Sequence, residues 1–301
     1  MGRRGGKGAG TEFPLSALQG GEGRGEVGRA AGRYFRMTDY SLAELCIVAA
    51  AETWRHDGEL LATGITLIPR LAAGLAKLTF NPALMMTDAE CYFVSEPVPV
   101  GPRGDYVPKI EGWAPYARTF DNLWGGKRHA MVVPVQLDRF GQTNISTIGD
   151  RAKPKAALLG VRGYPGNSVH HANSYFITAH NSRALVAGEV DFVCSAGYNP
   201  ARWPGGKKPA WLDLRLIVTD LAVLDFEGPQ NAIRVRSLHP GIGFDQVQDN
   251  TGFALVRPET IPETPAPTPA QLAVIRERLD PHGLRKTVFK GDPAGDRRHS
   301  S

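Results

Sequence analysis

The sequence predicts an α/β fold with one mainly parallel open sheet, flanking helices and an antiparallel edge. Helical and strand-like patterns alternate between residues 41 and 86, which implies crossover connections and parallel strands. Residues 214–226 alternate and turn, with Asp220 near the bend, as an antiparallel hairpin does. The chain has 301 residues, 42% of them hydrophobic, so it can bury a sizeable core.

The first elements are marked by their end signals. Ser41 and Glu44 form a capping box at the start of a helix, and His56-Asp57-Gly58 ends that helix. A short strand is expected at 60–63 and a second helix at 70–78. Apolar runs further along predict strands at 84–86, 130–135, 144–147, 175–178, 190–194, 233–237 and 253–255, with one or two helical turns at 244–250.

The domain organisation follows from composition. Residues 1–36 are rich in Gly and Arg and are expected to be disordered. Residues 37–257 form the α/β domain, within which 95–129 shows few regular signals and is expected to be a long functional or mobile loop. Residues 258–301 comprise a Pro-rich linker, a short helix at 271–279 and a polar tail.

The charge distribution argues against nucleic-acid binding. The net charge is +5, but residues 1–36 carry +4 and residues 283–301 carry +3, which leaves −2 for the body of the chain. Nucleic-acid binding requires a clustered basic surface on the folded part. The basic residues of this chain lie in its tails instead.

The remaining composition predicts a cytoplasmic protein. No apolar run reaches the roughly 20 residues of a membrane span, and the N-terminus lacks the apolar segment of a secretory signal. Cys46, Cys91 and Cys194 are odd in number and far apart, so they predict free thiols in a reducing compartment rather than disulfides. No membrane partner is expected.

Acidic residues follow the apolar run 84–86. Asp88 and Glu90 come directly after it, and a Pro-containing loop follows. In open α/β sheets ligands bind at the carboxyl ends of strands, so Asp88 and Glu90 are candidate catalytic residues. For a single acid, however, a solvated loop is the commoner explanation.

Two other patterns bear on chemistry. The segment 160–167 is a Gly-containing turn between a strand and a helix, which could bring backbone N–H groups close to an anion. His170, His171 and His180 lack a carboxylate at ligand spacing, so structural or surface roles are favoured and no metal is expected. The sequence contains no GxSxG, GxGxxG or Walker motif.

Several motifs together resemble the beta subunits of class I CoA-transferases. His239-Pro240-Gly241 through Thr251-Gly252-Phe253 resembles the C-terminal signature of that family. Residues 218–223, VTDLAV, are similar to one of its strands, and 136–144, QLDRFGQTN, to one of its turns. The motifs occur in one order over most of residues 40–256. The resemblance implies the α/β fold of that family and a CoA thioester as substrate, with no permanently bound cofactor.

The chain also differs from the catalytic members of that family. These carry a glutamate after the strand represented by 84–87, where this chain has Ala89 flanked by Asp88 and Glu90. A subgroup with "TD" after this strand and an "RGxPGN" loop resembles the chain better, namely the beta subunits of bacterial steroid ring-cleaving hydrolases. That resemblance implies an α2β2 assembly in which the alpha subunit supplies the catalytic glutamate.

The implied substrate is a cyclic enone CoA thioester from the last steroid ring, which water opens. The resemblance implies substrate or CoA contacts from this chain at Arg162, Gly163, Gly166, Asn167, Gln136 and Asn144. Two alternatives remain open. One is a true CoA-transferase in which Glu90 or Glu96 forms a glutamyl thioester, and the other is a non-catalytic scaffold that stabilises its partner.

Overall fold

The structure is a computed structural model that describes residues 40–89, 91–158 and 160–289. Numbered along the chain, the strands are β1 Leu61–Gly64, β2 Met86–Thr87, β3 Tyr92–Val94, β4 Ile110–Trp113, β5 Arg128–Val132, β6 Gln136–Leu137, β7 Thr143–Asn144, β8 Thr147–Ile148, β9 Ala156–Ala157, β10 Ala172–Ile177, β11 Leu214–Thr219, β12 Ala222–Asp225 and β13 Arg234–Leu238. The helices are α1 Leu42–Ala51, α2 Leu67–Thr79, α3 Tyr116–Trp124, α4 Tyr164–Asn167, α5 Phe244–Asp249 and α6 Pro269–Ala273, which continues as π-helix Val274–Leu279.

The central sheet confirms the predicted fold class. Its six strands lie in the order β1-β5-β10-β11-β12-β13. The first four are parallel, whereas β12 and β13 are antiparallel to their neighbours. The hairpin predicted at 214–226 forms the junction between the parallel part and the antiparallel edge. The carboxyl ends of β1, β5 and β10 therefore lie side by side, where ligands bind in open α/β sheets.

Each face of this sheet covers its own core, because side chains alternate along a strand. In β5, Met131 packs with helices α1 and α2, whereas Ala130 and Val132 pack on the opposite face. In β10, Phe176 packs in the same core as Met131, and Tyr175 packs in the core on the opposite face. Helix α1 is buried along all ten of its residues, which explains why its sequence is apolar on every side. Its capping box from Ser41 and Glu44 forms as predicted.

The segment after the Pro-rich stretch packs on the core of the first face. Ile275, Leu279 and Phe289 are buried in the same cluster as α1 and α2. The polar tail predicted after Leu279 is wrong over 280–289, where a 3-10 helix forms at Leu284–Thr287 and Phe289 is buried. The apolar residues of this segment are too sparse in sequence to indicate that they fill the core. The domain boundary at residue 257 stays a prediction.

Two predictions for the first half of the chain are wrong. The run 84–86 was expected in the parallel sheet, but β2 belongs to an antiparallel three-stranded sheet with β3 and β4. A single parallel bridge between Leu61 and Met85 joins it to the main sheet. The segment 95–129 is not a plain loop, since it contains β4 and α3. Its prolines lie outside the helix interior, where proline is tolerated.

Two later predictions are also wrong. Residues 190–194 form no strand, and residues 253–255 do not close the sheet, because only Val256 makes a bridge, to Arg234. Phe253 and Leu255 pack in the core of the second face, and Val190 and Cys194 are buried in an irregular segment. The disorder predicted for 1–36 falls outside the described residues. Within the described ranges, no helix is both long and apolar enough to cross a membrane.

Candidate functional site

A cleft of about 690 Å³ lies where β1 and β5 end. Ile65 and Thr66 follow β1, and Val133 and Val135 follow β5. The far wall is the segment from Gly160 to Asn167. Most of the lining is aliphatic, so the cleft suits an apolar group with a few polar contacts.

The wall of the cleft contains the loop that sequence analysis singled out. Arg162 has a φ of +49°, in the left-handed region that non-glycine residues seldom adopt. Arg162 and Gly163 line the cleft together with Asn167, whereas Gly166 faces open space. Three of the four predicted substrate contacts of this loop are thus brought to one cavity. Their contact with substrate stays a prediction.

Trp124 of α3 orients the side chain of Asn167. The indole Nε1–H donates a hydrogen bond of 3.2 Å to Asn167 Oδ1. Because an indole only donates, it fixes the oxygen of the amide on its own side. The Nδ2 group consequently points the other way, towards Gly163, whose added Cβ would lie 3.2 Å from it. Asn167 therefore lines the cleft with an amide whose orientation Trp124 fixes.

Asp88 is buried and engaged in structural contacts. Its side chain accepts the N–H of Tyr92 at 3.1 Å, and its carbonyl accepts a hydrogen bond from Arg103 at 2.8 Å. It does not line the cleft. The next residue, Ala89, has a φ of +74°. The geometry supports a structural role for Asp88, and a catalytic one stays a prediction.

Of the two glutamates considered as nucleophiles, only Glu96 lies among the described residues. Glu90 falls outside the described residues. Glu96 is 36% exposed at its side chain and pairs with Lys109 at 2.7 Å and Arg278 at 3.3 Å. The hydrogen bond from Lys109 lowers the pKa of Glu96 despite slight burial. Glu96 does not line the cleft, and its role as a nucleophile stays a prediction.

Gln136 and Asn144 face each other across the β6–β7 hairpin. Asn144 Nδ2 donates to Gln136 Oε1 at 2.7 Å and to the Thr147 carbonyl at 2.7 Å, while its Oδ1 accepts the Ser146 N–H. Asn144 is fully buried, so these contacts support a structural role for it. Gln136 lines a neighbouring cleft of about 620 Å³ that shares Val133 and Val135 with the first. A substrate contact from either residue stays a prediction.

The three histidines considered for metal ligation have three different surroundings. His170 is exposed, and His180 is buried between Thr219 and Thr251 at 2.9 and 2.8 Å. His171 is buried beside Arg128. No group of three or more His, Cys, Asp or Glu side chains in the described part of the chain is arranged to hold a metal ion.

Sequence reasoning missed Arg128 and Thr66, which both line the cleft. The strand was predicted to start at residue 130, so Arg128 was left out of it. Alternation along β5 places Arg128 on the same face as Ala130 and Val132, and extending that pattern by two residues would have found it. Thr66, with a φ of +76° at the N-cap of α2, gave no signal in the sequence.

The comparisons with known proteins first define the class of the protein. No family model matches the sequence. The crystal structure of IpdAB from Rhodococcus jostii superposes with a TM-score of 0.77 and 36% identity, covering 84% of this chain and 100% of that one. The beta subunit of the 3-oxoadipate CoA-transferase of Pseudomonas knackmussii is 32% identical over 80% of this chain and 94% of its own length. The fold is that of a CoA-transferase-type beta subunit.

Within this class, similarity is stronger to one group. The cholesterol ring-cleaving hydrolase IpdB subunit of Rhodococcus jostii is 37% identical over 83% of this chain and 96% of its own length. The chain therefore belongs to the family of IpdB-type subunits of the CoA-transferase superfamily.

Proposed function

We propose that this chain is the beta subunit of a heteromeric hydrolase that opens the last steroid ring of a cholesterol-derived CoA thioester. The observation that carries the proposal is its 37% identity to an IpdB subunit over 96% of that subunit's length. The motif resemblance supports it as well, since it sets Ala89 at or next to the position where transferases carry their glutamate. The catalytic glutamate then comes from the alpha subunit, as general base.

The cleft at β1 and β5 is where we place the substrate ring. Its aliphatic lining excludes water from an apolar ring, and Asn167 offers an oriented N–H donor. In the reaction, water adds to a ring carbonyl, the adjacent ring carbon–carbon bond breaks, and the carbon released takes up a proton. The negative charge that develops on oxygen as the bond breaks needs fixed donors. Coenzyme A acts here as part of the substrate.

An exposed aromatic face next to this cleft is the docking surface that we assign to the alpha subunit. Trp113, Tyr116 and Trp124 are 68%, 80% and 58% exposed, and Phe120 packs against the last two. Clustered exposed aromatics mark protein interfaces. Because Trp124 also holds Asn167, a partner docked on this face would complete the cleft. We propose an α2β2 complex in the cytoplasm, where the described free thiols stay reduced.

The docking surface is tested with Trp113→Ser in the co-expressed complex. We expect loss of co-purifying alpha subunit, because exposed aromatic anchors carry much of the energy of an interface. Trp211→Ser is the matched control, since Trp211 is also 68% exposed but takes no part in the described ring contacts of α3. If both variants retain the alpha subunit equally, this surface is excluded.

The reaction is tested on the assembled complex with cyclic enone CoA thioesters. The proposed hydrolase yields an open-chain product heavier than the substrate by one water. Product without this gain of water would contradict the proposal.

The true CoA-transferase remains the second candidate, because the chain is 32% identical to the beta subunit of a 3-oxoadipate CoA-transferase. A transferase passes CoA to an acceptor carboxylate through a glutamyl thioester. Hydroxylamine treatment of the acyl-CoA-loaded complex, followed by intact-mass spectrometry of this chain, separates the two. A hydroxamate at Glu90 or Glu96 supports the transferase, whereas an unmodified chain supports the hydrolase.

A further inference from the structure

Four hydroxyl groups lie together beneath the wall of the cleft. Thr143 Oγ1 of β7 and Ser195 Oγ are 2.6 Å apart, and both residues are buried. The hydroxyl oxygens of Tyr164, at the start of α4, and of Tyr175, in β10, are buried as well. Burial raises the pKa of Tyr164 to about 12, against the opposing effect of the other three hydroxyls. We call these four groups the hydroxyl cluster.

The hydroxyl cluster lies within a largely apolar core. Tyr175 packs in the core on the face opposite α1 and α2, and the ring of Tyr164 packs against the same core. Among the described residues, neither tyrosine hydroxyl has a partner in hydrogen-bond geometry. A buried hydroxyl in that situation costs free energy, and a phenylalanine of the same shape would fold at least as well. The stability of the fold therefore does not explain either hydroxyl.

Tyr164 joins the hydroxyl cluster to the cleft. It lines the cleft together with Gly163 and Asn167, while its hydroxyl oxygen is buried in the hydroxyl cluster. The Tyr164 carbonyl accepts the N–H of Ser168 at 2.8 Å, and the Gly163 carbonyl accepts the N–H of Asn167 at 2.9 Å. Any shift of Tyr164 is therefore carried to the whole wall.

A polar group inside an apolar core can fix a position without adding stability. If the wall moved, the Tyr164 hydroxyl would leave the other three hydroxyls for the aliphatic side chains of the same core. Nothing there could form a hydrogen bond with it. The wall needs such a constraint, because α4 has only four residues and follows Arg162, whose φ is +49°.

We propose that Tyr164 is a positioning residue, whose hydroxyl holds the cleft wall at one distance from the strand ends through the hydroxyl cluster. The proposal rests on the function proposed above, and it assigns to Tyr164 the placement of Gly163 and Asn167 during ring opening. Tyr164 acts through these neighbours and not on the reacting atoms. Loss of its hydroxyl loosens the wall without weakening the fold.

Tyr164→Phe in the co-expressed complex tests this role, because it removes one oxygen atom and keeps the ring. The free energy of unfolding in urea should stay at the wild-type value or rise. Hydrogen exchange of the segment 163–168, measured by mass spectrometry without substrate, should become about 3- to 10-fold faster. The kcat for ring opening should fall by a similar factor, with KM within about twofold of the wild-type value.

Tyr198→Phe is the matched control, since Tyr198 does not line the cleft and its hydroxyl accepts the N–H of Leu214 at 2.9 Å. It also loses one oxygen atom, but it should lower the free energy of unfolding and leave exchange of the wall unchanged. The proposal is overturned if Tyr164→Phe behaves as this control does. It is also overturned if Tyr164→Phe keeps the wild-type exchange rate, or the wild-type kcat.

Tyr175→Phe probes the hydroxyl cluster from the sheet and covers the case in which Tyr164→Phe fails to fold. It should speed exchange of the wall although Tyr175 does not line the cleft. The double variant should exchange no faster than either single variant, because one loss already disrupts the hydroxyl cluster. Additive increases would show that the two hydroxyls act separately and would overturn the proposal.

The exchange measurement needs no turnover, so its outcome is distinguishable from failure of the proposed function. If the complex opens no ring but Tyr164→Phe speeds exchange of the wall, Tyr164 keeps its positioning role and the hydrolase is lost. Ring opening with an unchanged exchange rate in that variant does the reverse.

Discussion

Arg128 and His129 are neighbours on β5, but their side chains lie on opposite faces of the sheet and in opposite circumstances. His129 is fully buried beside Trp54. Its Nδ1–H donates to Asp57 at 2.7 Å, and its Nε2 accepts from Ser174 Oγ at 2.9 Å. Arg128, in contrast, faces a cleft with neutral partners. The polar groups of His129 are satisfied within the chain, whereas the described partners of Arg128, Thr63 and His171, are neutral.

The Asp57–His129–Ser174 arrangement resembles a hydrolytic triad in order, but its surroundings assign it to the interior. Ser174 is 0% exposed and is also bonded to Thr53 at 2.6 Å. Arg215 pairs with the second oxygen of Asp57. Burial lowers the pKa of His129 although Asp57 opposes this effect, so the ring is neutral. A nucleophile must be reachable by substrate, and this serine is not.

The largest expected effect comes from acid, which disturbs both faces. Burial lowers the pKa of His171, His180 and His239 to about 4, below the unfolded value of 6.5. The unfolded chain therefore binds more protons between pH 6.5 and 4, and stability falls as the pH falls through this window. Each histidine accounts for about 3 kcal/mol. Asp138, with a pKa raised by burial to about 6, offsets part of the loss.

Urea denaturation at pH 7 and pH 4.5 measures this loss. A free energy of unfolding that does not change between the two would show that these histidines are not buried as neutral rings.

Asp57→Ala removes the carboxylate that accepts the hydrogen bond of His129. This substitution leaves buried His129 without its carboxylate and Arg215 with only its ion pair to Asp213, which should cost about 3–5 kcal/mol of the free energy of unfolding. His56→Ala, at an exposed neighbouring residue, is the control and should stay within about 0.5 kcal/mol of wild type. Similar values for the two variants would contradict the contrast between the faces.

For Arg128, which faces the cleft, we expect the change in the free energy of unfolding to have the opposite sign. Arg128→Met removes a charge that has no carboxylate partner among the described residues, so the free energy of unfolding should stay constant or rise by about 1 kcal/mol. Chemical denaturation without ligand provides the measurement. A loss of more than about 2 kcal/mol would mean that Arg128 is held by its chain contacts alone.

The smallest change in stability is expected for Glu96, which lies outside the central sheet. Its ion pairs with Lys109 and Arg278 are partly exposed, and such pairs contribute about 0–1 kcal/mol. Glu96→Ala should therefore lower stability slightly and keep most of the activity of the complex. Abolished turnover would instead identify Glu96 as a nucleophile.

The fold class could be read from the sequence because the order of helices and strands limits the connections. The hairpin at 214–226 and the capping box at Ser41 are local signals, and both are confirmed. The strand at 190–194 was wrong because buried irregular segments are as apolar as strands. Arg128 was missed because the strand was predicted to start at residue 130, and alternation could have placed it on the cleft face; which side chains surround it there is a property of packing that spacing does not give.

Hydrogen bonds between the first helix and the C-terminal segment of the described chain matter during synthesis. Glu44 of α1 receives hydrogen bonds from Arg276 and Arg285, 232 and 241 positions later. Until those arginines leave the ribosome, α1 lacks both its counter-ions and the apolar cover of Ile275 and Leu279. At about 5–20 residues per second, this delay lasts on the order of 10–50 s. Part of the apolar surface of α1 therefore stays uncovered until the segment 275–289 has emerged, although α2 can pack on α1 much earlier.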